Sequence, residues 1–218
     1  MPRRGILLYD FMNRSLMAAF IVIEGIDGCG KGTQARLLFE HLKGLGKEVV
    51  LTAEPTKGPL GKLIREHLQD PFLDDESLAL LFAADRIEHL ERIVRPALDA
   101  GKIVISDRYV YSSIAYQGQR VDIDWVGEVN KYSDKPDLAI LLDISTQLAH
   151  RRLKERGDEM EYFEVDGELQ DGVKKTFVEL SGGRHLPESL KTKWFVVDAS
   201  ERKVEIADRI RDAVETII

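Results

Sequence analysis

A glycine-rich segment between the first predicted strand and the first predicted helix has the composition of a phosphate-binding loop. It consists of Gly25, Ile26, Asp27, Gly28, Cys29, Gly30, Lys31, Gly32 and Thr33. Glycines let backbone N–H groups approach a phosphate closely, and the N-terminus of the next helix adds partial positive charge. The spacing of one glycine, four residues and then Gly-Lys is that of a Walker A loop, whose lysine reaches the β- and γ-phosphates. We therefore expect these residues to bind a nucleoside triphosphate.

Two residues near this loop could hold a magnesium ion. A strict Walker A loop has Ser or Thr directly after the lysine, whereas here Gly32 comes first and Thr33 second. The third predicted strand leads into Asp107, and a carboxylate at the carboxyl edge of a parallel sheet can organise Mg²⁺. Arg108 follows it and could clamp phosphate oxygens. An Asp-Arg pair can also be a local salt bridge, and both interpretations stay open.

An aromatic residue and an arginine share one face of a long predicted helix over residues 74–99. The apolar stripe of that helix consists of Leu80, Ala83, Ile87, Leu90, Val94 and Leu98. At about 100° per residue, Phe82 lies about 120° from the centre of the stripe, and Arg86 is one turn further on. Phe82 could stack on a base while Arg86 hydrogen-bonds its edge. The alternative is a second buried face with a solvated arginine.

Residues 109–118, which follow Arg108, are rich in tyrosine, hydroxyl and amide groups. They read Tyr-Val-Tyr-Ser-Ser-Ile-Ala-Tyr-Gln-Gly, and such side chains suit a polar planar ligand. Tyrosines also pack at domain surfaces, so this pattern alone does not specify the ligand.

Five short apolar runs alternate with helical segments along the chain. They lie at residues 20–23, 48–52, 102–106, 137–142 and 193–197. This alternation predicts an α/β fold with a parallel five-stranded sheet and helices on both faces. We expect a single domain over residues 17–218. Residues 1–16 are predicted to be an extension outside it, because charged residues interrupt their apolar stretch before it reaches signal-peptide length.

Charge and cysteine content exclude several classes of protein. The 218 residues include 38 Asp and Glu against 31 Lys and Arg, a net charge of −7, with a pI near 5.4. Nonspecific binding to nucleic acid or to an anionic membrane needs an excess of positive charge, so we expect neither partner. No apolar run approaches the roughly 18–20 residues that span a bilayer. A single cysteine, Cys29, excludes a disulfide framework and indicates a reducing compartment, so we expect a cytoplasmic protein.

Several segments together resemble the thymidylate kinase family. They are residues 24–31, 81–86, 107–118, 135–138 and 197–200. Segment 107–118 is the most diagnostic, whereas many kinases share the phosphate loop. The resemblance runs from about Phe20 to the C-terminus and implies a P-loop NTPase-type fold with a short mobile lid at about residues 150–165. It also implies ATP as donor, thymidine 5′-monophosphate (dTMP) as acceptor, Mg²⁺ as cofactor and a homodimer.

The family pattern assigns roles around the acceptor. The implied substrate-binding residues are Asp27, Lys57, Phe82, Arg86, Arg108, Ser112, Ser113, Tyr116 and Gln117. Phe82 would stack on thymine, with Arg86 and Gln117 at its polar edge. Tyr116 would crowd the 2′ position of the sugar, and Asp27 would approach the 3′-hydroxyl. Arg108 would hold the acceptor phosphate near the γ-phosphate of ATP, whose adenine would lie by Asp198, Ala199 and Ser200.

Three features depart from the family pattern. Gly32 after the lysine gives the Gly-Lys-Gly-Thr order of adenylate kinases. Ala53 stands where many members have arginine, so a phosphate contact passes to Lys57 in our interpretation. The lid arginine is expected at Arg152 or Arg156, although residues 158–164 after them are mostly acidic. A solvated helix end is the alternative for both arginines.

An acceptor phosphate is already anionic near pH 7, so the reaction needs no strong general base. Catalysis would rest on positioning and on neutralising charge. The expected catalytic residues are Asp27, Lys31, Arg108, Arg152 and Arg156. Two alternatives to a dTMP kinase remain: an adenylate-type kinase, and a catalytically idle nucleotide-binding switch.

Overall fold

The computed structural model describes residues 18–156 and 167–218. Within them, five parallel strands form one sheet in the order β2-β3-β1-β4-β5. The strands are β1 Phe20–Glu24, β2 Val49–Ala53, β3 Ile103–Asp107, β4 Leu138–Asp143 and β5 Trp194–Asp198. This confirms the prediction of a parallel five-stranded α/β fold. The extension at 1–16 and the centre of the lid lie outside the described residues, so the division of the chain into extension, domain and lid stays a prediction.

The central strands are fully buried because both faces of the sheet are covered. Every residue of β1 is buried, and so are the first four residues of β3 and the first five of β4. The parallel register aligns the strand ends, with Ile23 opposite Asp107 and Asp143 opposite Asp198. The carboxyl ends of the strands therefore share one edge, where a parallel α/β sheet binds its ligands.

Helices and short helical turns connect the strands. They are α1 Lys31–Gly44, α2 Pro59–Gln69, α3 Asp75–His89, a π-helical turn Leu90–Val94, α4 Arg95–Asp99, α5 Val110–Gln117, α6 Ile123–Val129, α7 Thr146–Arg156, α8 Gly167–Ser181, a 3₁₀ turn Glu188–Leu190 and α9 Lys203–Glu215. The α3 helix begins at the predicted place because Asp74 caps it, its carboxylate accepting a hydrogen bond of 2.7 Å from the Ser77 N–H. None of these helices is long and apolar enough to cross a membrane.

The predicted apolar stripe of the long helix is wrong in its first half. Leu80 is 50% exposed and Ile87 39%, while Ala83 is half-buried. The later members Leu90, Val94 and Leu98 are buried as predicted. The buried face of α3 carries charged residues around Arg86. The prediction assigned the more apolar face to the core, and in this half of the helix that face is the outer one. The π-helical turn also changes the number of residues per turn, so one helical period cannot describe the whole segment.

Candidate active site

The phosphate loop connects β1 to α1 and fits tightly against the neighbouring elements. A Cβ atom at Gly25 would lie 2.8 Å from the Leu142 carbonyl oxygen at the end of β4. One at Gly28 would lie 2.3 Å from the Ala149 carbonyl oxygen in α7. Both glycines have positive φ angles, 142° and 82°, which residues with a Cβ rarely adopt. Glycine is therefore required at both positions by backbone conformation and by space.

The loop lysine begins α1 and lies folded against the loop itself. Its Nζ donates hydrogen bonds of 2.9 Å to the carbonyl oxygens of Gly25 and Ile26. The same Nζ lies 3.7 Å from Oδ1 of Asp27. These contacts hold the Lys31 ammonium group against the backbone of the loop.

Asp27 forms a compact cluster with Arg108, which lies before α5, and Tyr116, which lies near the end of α5. The guanidinium of Arg108 makes an ion pair with Asp27, and the Tyr116 hydroxyl donates to Oδ2 of Asp27 over 2.7 Å. The same guanidinium lies over the Tyr116 ring, 5.2 Å from its centroid. Burial raises the pKa of Asp27, but the charges of Arg108 and Lys31 outweigh it and hold the pKa below its usual range. Arg108 thus pairs with the phosphate loop, not with Asp107 as a local salt bridge.

A pocket opens beside this cluster, between the phosphate loop and helices α2, α3 and α5. Its lining residues are Asp27, Glu54, Pro55, Leu68, Phe82, Arg86, Arg108, Tyr109, Ser112, Ser113, Tyr116 and Gln117. Phe82 is half-buried and contributes an aromatic ring to the wall. Gln117 is 4% exposed, and its Oε1 has no hydrogen-bond partner among the described residues. A buried acceptor without a partner in a pocket wall indicates a ligand with an N–H or O–H group.

Arg86 lies in the pocket wall and is held by a network of buried side chains. It is 1% exposed, so the alternative of a solvated arginine is wrong. Its Nε donates to Oε2 of Glu54 and one Nη to Oγ of Ser113, each over 2.9 Å. The other Nη donates to Oδ1 of Asn130. Glu54 also contacts His89, with 3.0 Å between Oε1 and the imidazole Nδ1. The guanidinium is therefore fixed in position without any ligand contact.

The predicted adenine segment follows β5 and lies close to α1. Ala199 is buried and donates its N–H to the Asp143 carbonyl oxygen over 2.7 Å, while Asp198 and Ser200 are exposed. The Ser200 N–H donates to Oδ1 of Asp198 over 2.8 Å. A little further on, the Lys203 carbonyl oxygen accepts a hydrogen bond of 3.1 Å from Gln34 of α1. The segment, called the rim below, ends just before a stretch of chain that contacts the helix beginning at Lys31.

Comparison with known proteins agrees with this geometry. The thymidylate kinase family model matches residues 23–210. The chain belongs to the thymidylate kinase family. The probable thymidylate kinase of Pyrococcus horikoshii is 49% identical to it, over 74% of this chain and 82% of the relative. That of Thermococcus kodakarensis is 41% identical over 91% and 98%, and that of Methanococcus aeolicus 40% identical over 87% and 91%.

As a member of the thymidylate kinase family, the chain is a phosphotransferase, an ATP-dependent nucleoside monophosphate kinase that converts dTMP to the diphosphate. This assignment favours the dTMP kinase over the adenylate-type kinase and the idle switch. The matched region begins inside β1 and ends inside α9, so it includes the phosphate loop, the pocket and the rim at Ser200.

Two sequence-predicted site residues lie apart from the pocket wall. Lys57 is exposed and is not among the lining residues, whereas Glu54 and Pro55 before it are. Arg152 is half-buried on α7 and also does not line the pocket. Arg156 is the last residue of α7, and the remaining lid positions at 157–165 lie outside the described residues.

Other residues of the candidate site were missed by the sequence analysis. Glu54 and Asn130 fix Arg86, and Glu24 at the end of β1 contacts the start of α5. The sequence does contain a signal for Glu24. It directly follows four apolar residues of a predicted buried strand, and a carboxylate is rarely buried unless it has a partner. Asn130 carries no comparable signal, since it follows a short helix at no recognisable spacing from Arg86.

Proposed function

We propose that the pocket holds the thymine base of dTMP through Arg86 and Gln117. The observation that carries this assignment is the buried Gln117 Oε1, which has no partner among the described residues. Thymine presents an imide N–H flanked by two carbonyl oxygens. The N–H can donate to Gln117 Oε1, and a carbonyl oxygen can accept from Arg86, whose side chain is only a donor. Phe82 would stack on the ring.

This arrangement also supports discrimination between bases. Cytosine carries an amino group where thymine carries the 4-carbonyl, so two donors would face each other at Arg86. Because Glu54, Ser113 and Asn130 hold the guanidinium in place, it cannot turn away to relieve that conflict.

The Asp27 cluster would hold the sugar and the acceptor phosphate. Asp27 would approach the 3′-hydroxyl, and Tyr116 would crowd the 2′ position and favour deoxyribose. Arg108 would clamp the acceptor phosphate, because its guanidinium borders both the pocket and the phosphate loop. Ser112, whose hydroxyl lies 3.3 Å from Arg108 Nη1, would support that orientation.

The donor would bind along the loop, with Lys31 exchanging its loop carbonyl partners for β- and γ-phosphate oxygens. Adenine would lie at Asp198, Ala199 and Ser200, on the rim beside α1. The acceptor phosphate attacks the γ-phosphorus in line, and the bond to the bridging oxygen of ADP breaks. No side chain has to remove a proton, and catalysis rests on charge neutralisation between Lys31 and Arg108.

Asp107 and Thr33 are the residues proposed to hold Mg²⁺. A Cβ atom at position 32 would lie only 3.1 Å from Oδ2 of Asp107, so this carboxylate oxygen directly faces the first turn of α1. Carboxylate and hydroxyl oxygens fit Mg²⁺, which typically takes one or two carboxylates together with substrate phosphates. The ion would supply neutralisation of charge on the transferred phosphoryl group.

A second arginine is proposed to come from the lid, at Arg152 or Arg156. Lys57 is proposed to approach the acceptor phosphate from the loop after β2.

We also propose a cytoplasmic homodimer. Neighbouring helices α2 and α3 and the turns near them expose apolar side chains that a second copy could cover. They are Leu63, Phe72, Leu80, Ile87 and Ile93. Sedimentation equilibrium tests the dimer.

The base assignment is tested by Gln117→Leu in a coupled assay of ADP release. We expect the KM for dTMP to rise at least about fivefold, because an unpaired imide N–H costs about 1–3 kcal/mol, and the KM for ATP to stay unchanged. The control is Gln69→Leu, the same change at an exposed position of α2. Unmodified enzyme should turn over dTMP faster than dCMP or AMP. Equal KM values for dTMP in the two variants would contradict the role of Gln117.

A further inference from the structure

A buried carboxylate joins the strand of the phosphate loop to the helix of the acceptor pocket. Glu24 is the last residue of β1, directly before Gly25, and is fully buried. Its Oε1 accepts hydrogen bonds from the backbone N–H groups of Tyr109, over 2.9 Å, and Ser112, over 3.3 Å. Its Oε2 accepts a hydrogen bond of 2.6 Å from the Ser112 hydroxyl. Both oxygens of one side chain thus contact the start of α5.

These contacts replace a cap that α5 lacks in its own sequence. Tyr109 at the N-cap position contributes no side-chain hydrogen bond to the helix. The first N–H groups of a helix need acceptors, and a negative charge there is favourable. Glu24 supplies these acceptors from another element, 85 residues earlier in the chain than Tyr109. The direction of α5 is therefore set by the strand that carries the phosphate loop.

The residue before this N-cap needs the same support. Arg108 has a φ of 68°, in the left-handed region that non-glycine residues rarely occupy. Such a conformation persists where surrounding contacts fix it. Its N–H donates to the Ile23 carbonyl oxygen over 3.0 Å, and the Tyr109 N–H beside it donates to Glu24. Ile23 and Glu24, consecutive residues of β1, therefore fix the backbone of Arg108, whose guanidinium is proposed to clamp the phosphate.

The cost of burying this carboxylate agrees with a functional use. Burial raises the pKa of Glu24 to about 7, although the Ser112 hydroxyl and the charges of Arg108 and Lys31 oppose that rise. An apolar side chain at the end of β1 would avoid that cost, as four of its five residues do.

We propose that Glu24 is a positioning residue that fixes the acceptor helix α5 and Arg108 relative to the phosphate loop, so that the two phosphates meet in line. It touches neither substrate. The phosphate loop, proposed to bind the donor, directly follows Glu24 in sequence. Helix α5, proposed to bind the acceptor, is hydrogen-bonded to the Glu24 side chain. This inference rests on the roles proposed above for Arg108 and Gln117.

Losing this link has a specific kinetic signature. ATP still binds to the loop, and dTMP still binds to groups on α3 and α5, so both KM values should change less than about threefold. The alignment between the two halves is lost, and a misplacement of about 1 Å can cost about 10²-fold in rate. We therefore expect Glu24→Ala to lower kcat about 10²-fold. Glu24→Gln keeps an oxygen for the Tyr109 and Ser112 N–H groups and should recover most of that loss.

The experiment measures kcat, both KM values and thermal unfolding for Glu24→Ala, Glu24→Gln and Ser112→Ala, with Glu40→Gln at an exposed position of α1 as control. All rates are normalised to folded protein. Because Glu24 contacts α5 partly through Ser112, the effects of Glu24→Ala and Ser112→Ala on kcat are expected not to be additive in the double variant. The proposal would be overturned by an unchanged kcat of Glu24→Ala per folded molecule, by additive effects in the double variant, or by a rise in only one KM. Turnover of dTMP by the unmodified enzyme, and the Gln117 variant, test the proposed function separately.

Discussion

The acceptor pocket and the donor surface of this thymidylate kinase are built in opposite ways. On the proposed acceptor side, buried charged and polar side chains hold one another, as Glu54, Arg86 and Asn130 do. On the donor side, the proposed binding groups are backbone atoms of a glycine-rich loop and exposed residues such as Thr33 and Ser200. In the proposed function, the acceptor side would read the identity of a base with fixed side chains. The donor side would bind phosphates with main-chain N–H groups, which suit the phosphates of many nucleotides.

This difference has an energetic consequence. Removing one partner of a buried ion pair leaves an uncompensated charge, while exposed ion pairs contribute little. Substitutions in the acceptor wall should therefore affect stability and substrate selection together. Substitutions on the donor rim should affect ATP binding alone, and only weakly.

The largest expected effect is that of Glu54→Gln, which removes the carboxylate between Arg86 and His89. We expect the free energy of unfolding to fall by about 3–5 kcal/mol, because the Arg86 guanidinium stays buried without its counter-charge. Selection of dTMP over dCMP should weaken as Arg86 gains freedom. Urea unfolding and kcat/KM for the two nucleotides measure these effects. A loss of stability below about 1 kcal/mol would mean that the acceptor wall is not held by this ion pair.

Arg108→Ala tests the boundary between the two sides. We expect kcat/KM to fall at least about a hundredfold, in line with the roughly 2.7–4 kcal/mol that one preorganised charge contact contributes, while the fold survives. Arg36→Ala, at an exposed position of α1, is the control and should leave the rate unchanged. Near-normal activity of Arg108→Ala would remove Arg108 from the mechanism.

The same contrast explains which parts of the molecule could be predicted from sequence. The strands and the phosphate loop are encoded locally, by apolar runs and by a glycine spacing of fixed length. The family resemblance brought Arg86, Arg108, Tyr116 and Gln117 to one site, and the structure places all four in the same pocket wall.

The supporting network could not be predicted in this way. Glu54 and Asn130 are 32 and 44 residues from Arg86, and Glu24 is 88 residues from Ser112, so only the tertiary fold pairs them. The error in the α3 stripe has the same origin, because the pattern of apolar residues does not reveal a helix face that buries charge. The sequence therefore predicted the residues proposed to contact substrate better than the residues that hold them.

The substitution Tyr116→Ala should have a smaller effect, on the selection of the sugar. Replacing it with alanine opens space at the proposed 2′ position, and we expect the preference for dTMP over ribothymidine 5′-monophosphate to fall about tenfold, or about 1.4 kcal/mol. Tyr116→Phe is the matched control, since it keeps the ring under Arg108 and removes the hydroxyl that donates to Asp27. An unchanged preference in the alanine variant would refute the role in deoxyribose selection.

The smallest effect should come from Asp198→Ala, the donor-side counterpart of Glu54→Gln. Both changes remove a carboxylate at the end of an edge strand, Glu54 just after β2 and Asp198 at the end of β5. Asp198 is exposed, and hydrogen bonding from Ser200 lowers its pKa without any buried partner. We expect the KM for ATP to rise less than about threefold, with unchanged selection of dTMP and unchanged unfolding, because solvent replaces the lost contact. A loss of stability comparable to that of Glu54→Gln would show that the two sides are held in the same way.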